Sequence, residues 1–246
     1  MKIEYLSPSQ INTYMGCPYK YKLIYKDKIV TKPRPYITTG KILHRLIERK
    51  LRNESINIID IMGEQEIKAD LTYFSDEEKQ EVLDEINSVM PAIQSGEWIP
   101  QNVEGVERAI SFTIGSIPMY LIADIVTADR VIDTKIISKN SMHRYEKPYP
   151  IQLILEAVAF DKDIGQYNLF VKGGNPIFTY REFKDIRMKA KRVMEIIRGI
   201  YNSIINDIFP PVDRNSDNGW MCSEKWCDFY DICEFGKAED PKNIYF

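Results

Sequence analysis

The chain has 246 residues, 44% of them hydrophobic and 28% charged, with a formal net charge of −3. That length can bury a core without cross-links, and the balance excludes a mainly disordered, collagenous or coiled-coil protein. The longest apolar stretches, 151–160 and 196–209, are broken by Glu156, Arg198 and Asp207, short of the roughly 20 residues of a membrane span. The opening Met1-Lys-Ile-Glu has no apolar targeting core, so a cytoplasmic location without membrane contact is expected.

In chain order, Ser7-Pro-Ser-Gln10 forms a capping box with proline at the first helical position, predicting a helix over 8–17 that continues past Pro18 toward Tyr25. Residues 17–52 form a basic arm, with eleven Lys and Arg against Asp27 and Glu48. This arm, with Lys20, Lys41, Arg45 and Arg49, reads either as a side facing a polyanion or as a solvated helix surface. Its tyrosines, Tyr14, Tyr19, Tyr21, Tyr25 and Tyr36, either stack on unpaired bases or pack in the core. Within the arm, residues 40–51 set Leu43, Leu46, Ile47 and Leu51 on one stripe of a second helix, with His44 and Glu48 on its flank.

The sign of the charge then reverses, with fourteen Asp and Glu over 53–107 against Lys68 and Lys79. Residues 53–105 read as an acidic helical insertion. Its capping box Ser75-Asp-Glu-Glu78 opens a helix through Val82, Ile86 and Val89, with Pro91 as the expected stop. Runs of β-branched and aromatic residues predict strands over 106–114, 119–126 and 131–138, a buried helix over 148–160, and strands over 167–171 and 177–179. Thr179-Tyr-Arg-Glu182 reads as a third capping box, opening a long final helix through Ile186, Val193, Ile197, Ile200 and Ile204. A polar loop after Pro211 leads into a cysteine-rich tail over 212–246. The alternation of elements predicts an α/β fold in one domain over 1–246.

The stretch from Leu121 to Lys135 bears the chemistry. If Ala128-Asp129 forms a two-residue loop between two strands, Asp124 stands opposite Asp133, with Lys135 two residues on along the same face, whereas a three-residue loop with a bulge would offset the pair. Carboxylates roughly 5 Å apart repel by about 3 kcal/mol at an effective dielectric of 20. Because Ile122, Val126, Val131 and Ile137 share the charged face, the pair reads as buried and not as the polar side of a surface hairpin. A divalent cation compensates such a pair, and hard oxygen donors suit magnesium or manganese. Such an ion activates water and stabilises a phosphoryl transition state.

These residues resemble the PD-(D/E)XK nuclease superfamily, specifically its RecB-like exonuclease branch, which includes AddB and CRISPR-associated spacer-processing nucleases. The stretch from Leu6 to Leu23, with its serine cap and Cys17-Pro18 pair, is similar to that branch's opening helix. Gly40-Lys-Ile-Leu-His44 is similar to its Gly-x-x-x-His element, and Asp124 with Asp133-Thr-Lys135 is similar to its two carboxylates and lysine. The resemblance implies a restriction-endonuclease-like αβββαβ core with a central mixed sheet flanked by helices. It also implies metal ligation by His44, Asp124, Asp133 and the Thr134 carbonyl, with Lys135 positioning or polarising the attacking water. Gln152 occupies the place of a Gln-x-x-x-Tyr element thought to hold DNA, but Glu156 stands where the tyrosine would be. The roles of Glu48, Glu107 and Glu156 stay open.

Clustered cysteines in a reducing compartment point to metal before disulfide. Cys222, Cys227 and Cys233 lie close in sequence, and the resemblance implies that Cys17 joins them as the fourth ligand of a [4Fe-4S] cluster clasping the termini. Structural zinc is the alternative. The expected function is a magnesium- or manganese-dependent deoxyribonuclease, an exonuclease on single-stranded or frayed linear DNA in recombination, repair or phage replication. Trimming of DNA ends for CRISPR adaptation is a second reading, and a non-cleaving DNA-binding subunit a third. The expected partners are DNA and a second copy of the chain or a helicase.

Overall fold

A computed structural model describes residues 3–236. The elements run α1 (Pro8–Gly16), α2 (Pro18–Tyr21), a π-helical turn (Lys22–Lys26), α3 (Pro35–Leu51), α4 (Ile58–Met62), α5 (Gln65–Leu71) and α6 (Asp76–Ser95). There follow β1 (Val103–Ile114), β2 (Ile117–Thr127), β3 (Arg130–Ser138), α7 (Ile151–Ala159), β4 (Ile164–Lys172), β5 (Phe178–Phe183) and α8 (Ala190–Ile205). The strands form one sheet in the order β1-β2-β3-β4-β5, with β3 and β4 parallel and the pairs β2–β3 and β4–β5 antiparallel. Helix α7 is the crossover that a parallel pair requires. The α/β class and the mixed sheet flanked by helices are as expected. The acidic helices α4 to α6 precede the strands.

The fold divides into two compact units. One contains Pro33–Phe112 and Tyr120–Val193; the other contains residues 3–32, 113–119 and 194–236 among those described. In the larger unit, Ile42, Leu43, Leu46 and Ile47 of α3 share a core with Val82, Ile86, Val89 and Ile93 of α6 and with Ile125, Ile132 and Phe170 of the sheet. Each such side chain, almost fully removed from water, contributes about 2 kcal/mol relative to exposure. Gly165 lets α7 and the turn before α8 approach β4, since a Cβ there would lie 2.7 Å from Ile186 Cδ1 and 3.2 Å from Leu153 Cβ. In the smaller unit, Tyr14 and Tyr21 pack edge to face at 5.6 Å, and Tyr14 Oη donates to the Ile208 carbonyl at 2.7 Å. These two tyrosines are core residues and do not present their rings to nucleic acid.

Four expectations about elements need correction. Helix α3 begins at Pro35, five residues before Gly40, with proline in its first turn. Pro91 does not stop α6, which continues to Ser95 and ends at the left-handed Gly96 (φ 70°). The burial of Val89, Met90 and Ile93 on both sides offsets the hydrogen bond that proline forgoes. Thr179–Glu182 is no helix cap: Leu169 pairs with Thr179 and Gln166 with Glu182 in the β4–β5 ladder, and the helix starts at Ala190 after a 3₁₀ turn. The aromatic and β-branched residues Phe178, Thr179, Tyr180 and Phe183 favour the strand. Ile122, expected to be buried beside the carboxylates, is 41% exposed, whereas Val126, Val131 and Ile137 are buried as expected.

Candidate active site

The β2–β3 turn sets the register. Ala128-Asp129 is a weak two-residue turn, and Thr127 braces it: Thr127 Oγ1 accepts the Arg130 N–H at 3.2 Å and donates to Asp129 Oδ1 at 2.9 Å. Ile125 pairs with Ile132 and Val126 with Val131, the register of a two-residue turn, and Asp124 and Asp133 are the next residues along the two strands. Asp124 Oδ2 accepts the Thr134 N–H at 2.6 Å. Asp133 is 1% exposed. Lys135 Nζ donates to Asp133 Oδ1 at 2.9 Å and lies 2.8 Å from Oδ2, outside hydrogen-bond geometry, so Oδ2 is buried without a hydrogen-bond partner. The sheet therefore unites Asp124, Asp133 and Lys135.

Burial governs the electrostatics. It pushes Asp133 up to about 6 against the pull of Lys135, with Asp124 adding repulsion. Burial also raises Asp124, with Lys135 and the Thr134 N–H opposing. Lys135 is held above the ordinary lysine range because Asp133 and Asp124 outweigh the cost of burying it. His44 sits on α3, its basicity lowered first by burial and then by Lys135, and its ring makes no hydrogen bond to a described residue. A neutral imidazole is the form that binds a metal. His44, Asp124, Glu48 and Glu107 line a cavity of about 350 Å³ with Lys41 and Arg45 at its wall. Glu107 is pushed up to about 7 by burial and by the negative charge of Asp124 and Glu48. Its backbone is left-handed (φ 50°) inside β1, a conformation uncommon for a residue other than glycine. Tyr145 and Tyr167 meet edge to face at 5.1 Å, and burial holds both phenols protonated.

The donors suit a hard cation chemically, with an unpaired buried Asp133 oxygen, Asp124 and a neutral histidine. Among the described residues, no group of three or more His, Cys, Asp or Glu is already arranged to hold a metal ion. The Asp133 carboxylate is instead drawn onto Lys135 and Gln152.

A family model described as the PD-(D/E)XK nuclease superfamily matches residues 5–234. The chain belongs to the PD-(D/E)XK nuclease superfamily. Among solved structures, a Eubacterium rectale protein provisionally named an exonuclease superposes with a TM-score of 0.59 at 10% identity, covering 87% of this chain and 86% of that one. A second, SSO0001, aligns over 79% of this chain and 85% of that one at 17% identity and a TM-score of 0.38. No curated protein matches. In this PD-(D/E)XK superfamily member, Asp124 lies on β2, and Asp133 and Lys135 lie on β3. Among the described residues, no helix is long and apolar enough to cross a membrane.

The four basic residues expected to contact DNA are all ion-paired. Lys20 meets Asp228 at 3.2 Å in the smaller unit; in the larger, Lys41 meets Glu66 at 2.7 Å and Asp70 at 2.9 Å. Arg45 meets Glu48 at 2.9 Å, and Arg49 meets Glu64 at 2.8 Å. Gln152 is no surface residue of its helix, since its amide joins Asp133, Lys135 and Glu156.

In the smaller unit, Cys17, Cys222, Cys227 and Cys233 are free of disulfides and all line one cavity of about 340 Å³, walled by Leu23, Met221, Trp226 and Phe229. Cys17 Sγ accepts the Lys20 N–H at 3.4 Å, capping α2. Burial raises the Cys227 thiol, and the Cys233 thiol is raised by burial and further by the three other cysteines. The four sulfurs thus share one electrostatic neighbourhood. They are not drawn into a ready metal-binding group among the described residues.

Proposed function

We propose that this nuclease is a magnesium- or manganese-dependent deoxyribonuclease of the RecB-like branch, acting as an exonuclease on single-stranded or frayed linear DNA. The observation that carries the reading is the Asp124–Asp133–Lys135 constellation, in which the buried Asp133 pairs with the Lys135 ammonium, Asp124 accepts the adjacent Thr134 N–H, and one Asp133 oxygen is left without a hydrogen bond. His44, Asp124, Asp133 and the Thr134 carbonyl would hold the cation, which when bound supplies an acidified water and charge stabilisation at the phosphoryl group. Lys135, kept protonated by its two carboxylates, would orient the attacking water through its one remaining N–H bond and stabilise charge developing on the phosphate. Glu48 is held by Arg45 and Arg52 at 2.9 Å each, which orders the rim of the site. Lys41, Arg45 and Arg49 contact phosphates by exchanging carboxylate partners, so binding weakens as salt rises.

End-labelled linear DNA, single-stranded and duplex, is compared with closed circles in Mg²⁺ or Mn²⁺. The reading predicts that linear DNA shortens from its ends while circles survive. Cut circles would establish an endonuclease, and uncut DNA of every form would overturn the hydrolytic reading.

We also propose that Cys17, Cys222, Cys227 and Cys233 hold a [4Fe-4S] cluster. Four thiols lining one apolar cavity support a metal centre there, and four cysteine ligands are the set that a [4Fe-4S] cluster takes. Anaerobically purified protein should show visible absorption that dithionite bleaches and Cys227→Ser removes. Colourless protein with one zinc per chain would contradict the cluster.

A further inference from the structure

Gln152 and Glu156 stand one turn apart on α7, so their side chains leave the same face of the helix. The Gln152 amide is fully committed: Nε2 donates to Asp133 Oδ1 at 2.9 Å and to Glu156 Oε1 at 3.0 Å, while Oε1 accepts from Lys135 Nζ at 3.3 Å. An amide in this setting has one favourable orientation, because a flip would set its oxygen against two carboxylates and its nitrogen against an ammonium. Glu156 is fully buried, and its Oε2 has no hydrogen-bond partner. A buried carboxyl with an unsatisfied oxygen weakens the fold, where an apolar side chain of equal volume would not. What Glu156 supplies is the acceptor for the second Gln152 amide proton.

We propose that Glu156 is a positioning residue of the hydrolytic centre. By holding the second amide proton of Gln152 it fixes the amide that orients the Asp133 carboxylate and the Lys135 ammonium. Gln152 then works inside the centre and not as a contact to nucleic acid. This inference rests on the nuclease reading of the same site, and its consequences separate from that reading because it also fixes how well the metal-free protein takes up a cation.

The test compares Glu156→Gln, Glu156→Leu, Gln152→Leu and the double leucine variant with the wild type. The readouts are kcat, KM for DNA, and Mn²⁺ affinity measured without DNA from the loss of the free-ion EPR signal. Glu156→Leu should lower both kcat and Mn²⁺ affinity by about 10- to 100-fold, the usual range for a partner behind a metal ligand, with KM unchanged. Glu156→Gln, whose amide oxygen still accepts the Gln152 proton, should stay close to wild type, and the double variant should be no worse than Gln152→Leu alone. If leucine does not fold by circular dichroism, Glu156→Met replaces it. A raised KM with intact kcat would overturn the inference, as would additive losses in the double variant or a Glu156→Gln variant as impaired as Glu156→Leu. A wild type that binds Mn²⁺ but cleaves nothing would defeat the nuclease reading, while the Mn²⁺ affinities of the variants would still decide this one.

Discussion

A carboxylate that is 1% exposed, with one oxygen outside any hydrogen bond, keeps its proton to higher pH than one in water, and Asp133 does so to about 6. Glu107 does the same to about 7, because burial and the charges of Asp124 and Glu48 disfavour its ionised form. The sign follows. Between the ordinary glutamate range and pH 7 the folded chain binds more protons than the unfolded chain, so this group's contribution to stability falls as pH rises through that window and levels off above it. Glu107 is only partly buried, so solvent screening reduces the effect to about 1 kcal/mol. Urea denaturation in EDTA should show Glu107→Gln losing less stability than wild type between pH 5 and pH 8; equal pH slopes would refute it. Asp124, Asp133 and Lys135 were legible in the sequence because a two-residue turn and a period of two suffice to align them. Glu107 was not, because a left-handed residue inside a strand has no local signature other than glycine, and a glutamate stands there. The Gln152–Asp133 bond was equally hidden, since it joins a helix to a strand across 19 positions of sequence.

At the scale of elements, local signals succeeded where packing agreed with them. The Ser75 capping box forms in full, Ser75 Oγ accepting the Glu78 N–H at 3.2 Å and Glu78 Oε2 accepting the Ser75 N–H at 2.8 Å. The same pattern at Thr179 is overruled, because β4 offers a ladder of backbone partners that a helix start there would leave unpaired. Pro91 is overruled in the opposite sense: apolar residues on both sides of it belong to the core, and their burial outweighs one missing helical hydrogen bond. Both misreadings take a local propensity at face value where long-range pairing or packing decides.

Across the whole chain, 10% identity to the Eubacterium rectale structure coexists with a TM-score of 0.59 over 87% of the residues. The fold class therefore resides in pattern, the alternation of strands and the stripes of helices, and not in particular side chains. The segregation of charge was legible too, but its structural use was not. The acidic segment supplies Glu64, Glu66 and Asp70 to pair with Lys41, Arg45 and Arg49, so these three basic residues of the arm have carboxylate partners within the protein. The proposed hydrolysis concentrates its chemistry on Asp133, and single-turnover cleavage of end-labelled DNA in Mg²⁺ by wild type and by Asp133→Asn tests that claim most directly. The substitution preserves shape and removes the charge. The account predicts metal-dependent cleavage by wild type and none above the EDTA background in the variant. Undiminished cleavage by Asp133→Asn would contradict it.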